Sequence, residues 1–256
     1  MSADTTPTIG ILGLGEAGGL IRAGLRDAGA AVRGFDPLPE TQPDTPTPED
    51  AVRDADVVLS LTTAAEALAA AESVLDTLRA GQVYADANTS SPALKRELAG
   101  LVAPTGAQFA DVALMAPVPG RGVRTPALVA GPGAERFAML MTPLGMPVTT
   151  AGAAPGAAAQ RKLLRSVAWK GVAAVAIEAL AAAEAAGCEE WMRAELLALL
   201  ESADAAALER MVSGSRRHAA RREHEMADVA ALLRELGVEP RVSEAARSWL
   251  RELRDA

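Results

Sequence analysis

Aromatic side chains are scarce in this chain of 256 residues, at 3% of the total, although half of all residues are hydrophobic. The core must therefore be built from aliphatic side chains, and little material is left for a surface on which nucleic-acid bases could stack. Basic residues are also the minority, with 25 lysines and arginines against 33 aspartates and glutamates and a formal net charge of −8. Such a chain does not bind nucleic acid non-specifically as a whole, so we expect no nucleic-acid partner.

Cysteine and histidine are nearly absent. The single cysteine, Cys188, can form neither an intrachain disulfide nor a cysteine-based metal site by itself. The two histidines, His218 and His224, are six positions apart and would lie on different faces of a helix, so we expect no metal site.

Long apolar segments are missing as well. The longest candidate is interrupted by Lys170, Glu178 and Glu184, and no stretch reaches the roughly 18 unbroken apolar residues that a membrane span needs. The amino-terminal residues Met1–Thr8 are polar and have neither the basic start nor the apolar core of a signal peptide. We therefore expect a soluble, cytoplasmic protein without a membrane partner.

Short apolar segments alternate with helical patterns from Thr8 to about Thr150, which is the order expected of βαβ units and a parallel sheet. The predicted strands are Thr8–Leu12, Ala31–Phe35, Val57–Leu61, Val83–Asp86, Gln108–Val112 and Ala127–Ala130, with Pro147–Thr150 as a candidate seventh. The predicted helices between them are Ala17–Ala28, Ala64–Arg79, Ser91–Leu101 and Ala134–Met141. The segment Pro37–Pro48 holds five prolines, so we predict a surface loop without regular structure there.

The pattern becomes entirely helical after Gly156. Ala157–Ala186 contains no proline and is followed by Gly187 at the position of a helix C-cap, which predicts one long helix. Further helices are predicted at Glu190–Ala203, Ala205–Gly214, Arg216–Leu236 and Ser243–Leu253. The small residues Gly152–Gly156 suit a hinge, which divides the chain into domains 1–152 and 153–256. Val172–Ala186 is apolar almost all round, so we expect a homodimer that buries it.

The first predicted strand runs directly into a turn with the pattern GxGxxG. Its six residues are Gly13, Leu14, Gly15, Glu16, Ala17 and Gly18. Glycines at a strand-to-helix turn permit a tight bend and a close approach of a pyrophosphate, whose charge the N–H groups of the helix start would hold. The alternative is a turn in which glycine serves helix packing only.

An acidic residue at the end of the second predicted strand strengthens the first of these interpretations. Asp36 can accept hydrogen bonds from an adenosine ribose and would repel a 2′-phosphate, which favours NAD, while the nearby Arg33 keeps NADP open. We therefore predict an α/β fold, with a Rossmann-type doubly wound parallel sheet in an NAD(P)-binding domain. An all-α carboxy-terminal domain for substrate and dimerisation follows, joined by the long interdomain helix.

Two further loops follow predicted strands at the sheet edge where a nucleotide would lie. Thr62 and Thr63 follow one strand, and a polar loop that contains Asn88 and ends at Pro92 follows the next. These hydroxyl and amide groups could bond the nicotinamide ribose. Alternatively they cap the helices that begin at Ala64 and Pro92, and both roles can hold together.

Lysine is rare in this arginine-rich chain, with Lys95, Lys162 and Lys170 as its three examples. A partly desolvated lysine beside a positive nicotinamide could lose its proton near neutral pH and act as an acid/base, which arginine cannot do. Lys162 lies in the first turns of the long helix, with Ser166 and Lys170 on the same face. The alternative is a solvated surface lysine.

With these motifs the chain resembles the β-hydroxyacid dehydrogenase superfamily, which includes 3-hydroxyisobutyrate and 6-phosphogluconate dehydrogenases. More narrowly, it resembles a bacterial branch whose carboxy-terminal region is catalogued as a domain of unknown function, DUF1932. The segments that carry the resemblance are Ile11–Gly18, Asp86–Pro92, Asp111–Gly122 and Lys162–Val167 with Lys170 and Gly171. The resemblance implies that Lys162 is the general acid/base.

The same resemblance marks two departures. Most members of the superfamily place an asparagine four residues after the lysine, where Ser166 stands here. The usual substrate loop, Asp-Ala-Pro-Val-Ser-Gly-Gly, is replaced by the longer Asp111–Gly122 segment, which lacks the serine. The carboxylate-binding part of the site is therefore altered, and the resemblance does not select a substrate.

Basic side chains supply candidates for binding an anionic substrate. His218, Arg221, Arg222 and Glu225 have i+3 and i+4 spacings and could form one such helix face, or a solvated face with an Arg221–Glu225 ion pair. The candidate catalytic residues are Lys162, Ser166 and Asn88, and the candidate substrate-binding residues are Met115, Pro117, Arg121, Gly122, Lys170, His218 and Arg222.

The predicted function is reversible NAD(P)-dependent oxidation of a small hydroxy acid or related anionic alcohol. Asn88, Ser166 and the Asp111–Gly122 loop would orient the substrate. One alternative is reduction of C=N bonds, since related imine reductases share this architecture, although they usually lack the lysine. The other is a non-catalytic dinucleotide-binding protein built on the same fold.

Overall fold

The structure is a computed structural model that describes residues 6–256. Most of the Met1–Thr8 segment, in which we predict no signal peptide, lies outside the described residues. The strands are β1 Thr8–Leu12, β2 Ala31–Phe35, β3 Val57–Ser60, β4 Val83–Asp86, β5 Gln108–Leu114, β6 Ala127–Ala130 and β7 Val148–Thr150. The helices are α1 Glu16–Asp27, α2 Pro48–Val52, α3 Ala67–Glu72, α4 Pro92–Val102, α5 Ala134–Met141, α6 Ala157–Ala185, α7 Glu189–Glu201, α8 Ala205–Arg217, α9 Ala219–Glu235 and α10 Arg241–Asp255.

The seven strands form one sheet in the order β2-β1-β3-β4-β5-β6-β7. All neighbouring pairs are parallel except β5 and β6, which run antiparallel. A parallel pair requires a long crossover, normally with a helix, whereas the connection between Leu114 and Ala127 contains only the single 3₁₀ turn Gly122–Arg124. The sheet is therefore mostly parallel, and the predicted doubly wound architecture is confirmed.

Aliphatic clusters cover both faces of the sheet, as its almost fully buried strands require. On one face α1 contributes Ile21 and Leu25 and α5 contributes Phe137 and Met141, all of them fully buried. On the other face buried side chains of α2, α3 and α4 pack against the sheet. The carboxyl ends of β1 to β5, and the loops that follow them, lie at one edge of the sheet.

Three local predictions are wrong. Residues 64–79 do not form one helix, because α3 covers only Ala67–Glu72 and turns follow it. The proline-rich segment is not wholly irregular: it contains a 3₁₀ turn at Pro39–Thr41, and α2 begins at Pro48 with the Thr47 hydroxyl accepting from the Asp50 N–H. Proline at the first position of a helix costs no hydrogen bond, since the N–H there has no intrahelical partner.

The third concerns the helix predicted over residues 216–236. The structure has α8 running on to Arg217 and α9 starting at Ala219, with His218 between them at φ −117° and ψ 28°. These dihedral angles lie outside the α-helical region, so the helix is interrupted there.

The chain divides into two compact units, the first ending at Arg165 and the second comprising Ser166–Ala256. The division falls within α6, and the hinge predicted at Gly152–Gly156 stays a prediction. The second unit is entirely helical. Within residues 6–256, α6 is the one helix that is long and apolar enough to cross a membrane by length and composition, which for a single helix is weak evidence.

Candidate active site

The glycines of the turn between β1 and α1 have three different roles. Gly13 has φ +93°, and its N–H donates to the Phe35 carbonyl at 2.9 Å; a Cβ there would lie 2.5 Å from the Leu61 carbonyl oxygen. A Cβ on Gly18 would lie 2.0 Å from the Gly13 oxygen, so only glycine lets α1 start this close to the turn. Around Gly15, by contrast, a Cβ would meet no described atom within 4 Å. Its open face is where a ligand can approach the backbone.

Asp36 is held rigidly at the end of β2. Its Oδ2 accepts the Leu14 N–H at 2.7 Å and its Oδ1 accepts the Leu38 N–H at 2.9 Å. The carboxylate therefore connects the glycine turn to the chain that leaves β2. Two backbone donors fix its direction, and further lone pairs remain for a ligand hydroxyl.

These residues surround a cleft of about 720 Å³. Of the predicted cofactor residues, Gly13, Gly15, Glu16, Ala17, Asp36, Thr62 and Thr63 line it. Leu14 and Gly18 are buried and contribute packing. The volume suits a small-molecule cofactor, and the amino terminus of α1 points its free N–H groups and positive dipole end toward an anion. The open face of Gly15 and the fixed Asp36 carboxylate thus fit the pyrophosphate and ribose of a dinucleotide.

Thr62 and Thr63 do not cap a helix at Ala64, because α3 begins three residues later with Glu66 at its N-cap position. The Thr63 hydroxyl instead donates to Glu66 Oε2 at 3.0 Å. Thr62 faces the cleft and accepts a hydrogen bond from Asn88 at 3.2 Å.

The loop after β4 is organised by a buried amide. Asn88 Nδ2 lies 2.5 Å from Asp86 Oδ1, 3.1 Å from the Ser60 hydroxyl and 3.2 Å from the Thr62 hydroxyl, so its two N–H groups are shared among three acceptors. The predicted capping role in this loop is confirmed at Ser91, whose hydroxyl accepts the Leu94 N–H in the first turn of α4.

Lys162 lies against this same loop. Its Nζ donates to the Thr89 hydroxyl at 2.8 Å, and the side chain is half-buried. Desolvation lowers the pKa of Lys162 from the ordinary value of a lysine, and the positive charge of Lys95 lowers it further. A small cavity of about 10 Å³ adjoins the amine and is lined by Asn88, Thr89, Ser90, Lys95, Val112, Ala113, Ala159, Lys162 and Leu163.

A buried ionic network beneath this cavity was not predicted. Lys95 Nζ donates to Asp86 Oδ2 at 2.5 Å and to the Asp86 carbonyl at 2.7 Å, and it lies 3.5 Å from Asp111 Oδ1. All three side chains are 1% exposed or less. Burial raises the pKa of Asp86, although the charge and the hydrogen bond of Lys95 oppose that rise. The available signals were two aspartates in apolar strands and a lysine in a chain that otherwise uses arginine.

The predicted substrate loop is divided between two places. The Met115 N–H donates to the Pro126 carbonyl, and the Met115 carbonyl accepts a hydrogen bond from the Arg165 side chain. Pro117 and Arg121 are exposed, and the turn beginning at Gly122 packs against α1. Its next residue, Val123, would lie within 2.8 Å of a Cβ on Gly24.

The remaining candidates belong to the second unit. Ser166 is half-buried and Lys170 is exposed. The predicted single helix face is wrong for His218, which is exposed in the break between α8 and α9. Arg222 donates to the Ser215 hydroxyl at 2.7 Å. Arg221 and Glu225 form the exposed ion pair that the alternative interpretation expects.

Comparison with known proteins identifies the class of the first unit. Residues 8–138, just over half of the chain, match the family model described as the NAD binding domain of 6-phosphogluconate dehydrogenase. Residues 183–253 match a domain of unknown function, DUF1932. The chain belongs to this family of NAD-binding, dehydrogenase-like proteins, and its cofactor is therefore of the NAD(P) type. No curated protein sequence matches the chain significantly.

Several solved structures have the same fold as this chain. A conserved hypothetical protein from Sinorhizobium meliloti 1021 is 32% identical, with 96% of this chain and 88% of that chain covered and a TM-score of 0.66. A conserved protein of unknown function, described as structurally similar to 3-hydroxyacid dehydrogenases, is 28% identical over 97% of both chains, with a TM-score of 0.65. An imine reductase from Myxococcus stipitatus in complex with NADP⁺ is 21% identical, with coverages of 96% and 93% and a TM-score of 0.79.

Proposed function

We propose that this protein catalyses the reversible, NAD(P)-dependent oxidation of the hydroxyl group of a small hydroxy acid or related anionic alcohol. The observation that carries the proposal is the half-buried Lys162 amine, 2.8 Å from the Thr89 hydroxyl on the loop after β4. That loop also connects to the cofactor cleft, because Asn88 donates to Thr62. An acid/base group with a lowered pKa beside a dinucleotide cleft is what alcohol oxidation needs.

The residues of the cleft would bind and orient the cofactor. The open face of Gly15 and the first N–H groups of α1 would hold the pyrophosphate, and Asp36 would accept hydrogen bonds from the adenosine ribose. Asp36 supports a preference for NAD, since its charge would repel a 2′-phosphate. When bound, the nicotinamide ring supplies the hydride acceptor or donor.

Lys162 would move the proton. In the oxidation direction its neutral amine accepts the proton of the substrate hydroxyl, and in reduction the ammonium group returns it to the carbonyl oxygen. Partial burial supports this role because it makes the neutral amine accessible at lower pH than in an exposed lysine. The Thr89 hydroxyl would hold the amine in position, and Asn88 and Ser166 would orient the substrate.

The substrate is proposed to be an anion, because Arg121, Arg222 and Lys170 are candidates to bind a carboxylate or phosphate. A C=N reductase remains the second candidate, favoured by the fold shared with imine reductases. Lys162 argues against it, since the family resemblance implies that those enzymes usually lack this lysine.

A second copy of the chain is the proposed partner, in the cytoplasm. Val167, Val172 and Ile177 on α6 are 73%, 51% and 69% exposed, which is unusual for apolar side chains on one helix. A homodimer that covers α6 would bury them. Sedimentation of the purified protein tests this, with a dimer expected and a monomer at micromolar concentration contradicting it.

The experiment that tests the function is a turnover screen of purified protein with NAD⁺ and NADP⁺. Small hydroxy acids, their phosphorylated and phosphonate analogues, and cyclic imines with NADH or NADPH form its arms. Oxidation of an anionic alcohol supports the proposal, whereas turnover of imines alone would favour the second candidate. Tight cofactor binding without turnover of any substrate would favour a non-catalytic dinucleotide-binding protein.

A further inference from the structure

Among the described residues Lys95 is the one lysine or arginine that is buried, and the function above does not use it. It is 1% exposed on α4, while the neighbouring Arg96 is exposed to solvent. Burying an ammonium group is costly unless carboxylates compensate it, and Asp86 and Asp111 do so from adjacent strands. A chain that uses arginine almost everywhere else thus keeps a compact ammonium ion at this position.

Asp111 extends the network to the start of α6. Its Oδ2 accepts the backbone N–H groups of Ala158 and Ala159, both at 3.1 Å, across about 47 residues of sequence. A carboxylate on the first free N–H groups of a helix caps it and complements its dipole. Lys162 lies one turn further along the same helix, four residues after Ala158. The capping carboxylate therefore fixes the segment that presents the amine.

The two lysines also line the same small cavity. Three buried polar atoms near this cavity have no hydrogen-bond partner within the described residues. Asn88 Oδ1 and Ser90 Oγ belong to residues that line the cavity, and Asp111 Oδ1 belongs to the ionic network beneath it. The cavity is about the size of a single water molecule, and the side chains of both lysines line it. Lys95 is held in an ion pair with Asp86, whereas Lys162 is the group that must change its protonation state.

We propose that Lys95 is a positioning residue for the reaction: it fixes Asp86 and Asp111, and with them the first turn of α6, and it presents a positive charge to the Lys162 amine. The importance of this for catalysis rests on the proposed acid/base role of Lys162. The charged groups near the cavity are Lys95 on α4, Asp86 on β4, Asp111 on β5, and Arg161 and Arg165 on α6 itself.

The chain permits a direct test, because lysine labelled with ¹³C at Cε gives only three signals, from Lys95, Lys162 and Lys170. Their titration by NMR is compared in the wild type, in Lys95→Met and in the control Arg96→Met. Removal of the buried charge leaves two carboxylates uncompensated, so the pKa of Lys162 is expected to rise by about one unit. Arg96→Met removes an equal charge from the solvent side of the same helix and is expected to leave it unchanged.

A double variant covers the case in which Lys95→Met does not fold. Lys95→Met with Asp86→Asn removes a charge and its closest partner together, which buried pairs tolerate better than the loss of one member. The pKa of Lys162 is again expected to rise, but by less than in Lys95→Met, because Lys95 is the charge that lowers it and the Asp86 charge removed with it acts in the opposite direction. A Lys162 pKa equal to that of the wild type in a folded variant of either kind overturns the proposal.

Activity is the second readout, and it separates this proposal from the proposed function. Each unit of increase in the Lys162 pKa is expected to lower kcat for oxidation at neutral pH about tenfold, with recovery as the pH is raised. A loss of activity that does not recover at high pH would contradict the electrostatic role. If the NMR shift appears while no hydroxy acid is oxidised by the wild type, the proposed function fails and the role of Lys95 toward Lys162 stands.

Discussion

The side-chain amide of Asn88 donates to the hydroxyl of Thr62 at 3.2 Å, and this hydrogen bond connects two cavities of different character. Thr62 lines the large cleft beside the glycine turn, and Asn88 lines the small cavity beside Lys162. The same amide also bonds Asp86, the closest partner of Lys95. Any shift of the loop after β4 therefore affects the cofactor cleft, the lysine and the buried ion pair together.

Replacement of Lys162 by alanine is expected to lower turnover by 10²-fold or more, because a positioned acid/base contributes about 10²–10⁴-fold. Cofactor affinity should stay within about threefold of the wild type, since Lys162 does not line the cleft. Steady-state kinetics and NADH fluorescence titration measure the two effects. Arg161→Ala, at the exposed preceding position, is the matched control and should keep full turnover. Turnover of Lys162→Ala within a few-fold of the wild type would refute the mechanism.

The pH dependence of the wild type should follow the protonation of Lys162. Oxidation needs the neutral amine, so kcat for oxidation should rise as the pH increases through the pKa of Lys162. Reduction needs the ammonium group, so kcat for reduction should fall over the same pH range. Desolvation and the charge of Lys95 lower that pKa, so both limbs should lie below the ordinary range of a lysine, about 10.4. Initial rates in both directions across pH provide the measurement. Limbs of the same sign in both directions would be inconsistent with one shared acid/base.

Asp36 is expected to determine the choice between NADH and NADPH. The wild type should bind NADH more tightly, because a 2′-phosphate would meet the fixed carboxylate. Asp36→Asn removes the charge and should reduce the preference about tenfold or more, as measured by paired fluorescence titrations with the two cofactors. Asp27→Asn, at the exposed end of α1, is the control and should change neither affinity. Equal affinities of the wild type for both cofactors would show that Arg33 or another group offsets Asp36.

Two glycine substitutions in one turn should separate folding from binding. Gly13→Ala places a Cβ 2.5 Å from a carbonyl oxygen at φ +93° and should destabilise the protein by several kcal/mol. Gly15→Ala places its methyl group in open space, so thermal stability should change by less than about 1 kcal/mol while cofactor affinity falls. Thermal unfolding and NADH titration distinguish the two. Unchanged affinity in Gly15→Ala would exclude this face of the turn as the pyrophosphate site.

The strands were predictable almost to the residue because they are buried on both faces and read as short aliphatic runs bounded by glycine and proline. The structure of residues 64–79 was not predictable in the same way. The alanine-rich sequence favours a helix over the whole segment, but in the folded protein only Ala67–Glu72 is helical. The boundary between α8 and α9 was predicted at Gly214–Arg216 but lies at His218, which is neither proline nor glycine, so its exact position had no local signal.

The candidate site divides in the same way. The glycine turn and Asp36 follow from spacing along the chain, because both belong to one βαβ unit. The association of Lys95 with Asp86 and Asp111, and of Asp111 with the start of α6, depends on which strands become neighbours. Contacts between residues this far apart in sequence depend on the topology of the sheet, and the order of the strands cannot be deduced from a single sequence.

Glu178 offers a test of the second unit through stability alone. Its carboxylate accepts the N–H groups of Val242 and Ser243 at 2.7 and 2.8 Å and the Ser243 hydroxyl at 2.6 Å, and so caps α10 from a distant part of the chain. Burial raises the pKa of Glu178, but the combined hydrogen bonds outweigh it, so the pKa lies below its ordinary value. A carboxylate with a lowered pKa contributes stability above its unfolded pKa, about 4.3, and loses it as the pH falls through the folded value.

Glu178→Gln should therefore lower the free energy of unfolding by about 1 kcal/mol at pH 7, and the difference from the wild type should disappear as the pH falls below about 4. Urea unfolding at several pH values gives both numbers. Glu184→Gln, at an exposed position on the same helix, is the control and should change stability by less than about 0.5 kcal/mol at either pH. A destabilisation by Glu178→Gln that is equally large at pH 7 and pH 3 would mean that the capping bonds do not depend on the charge of Glu178, which would contradict the lowered pKa.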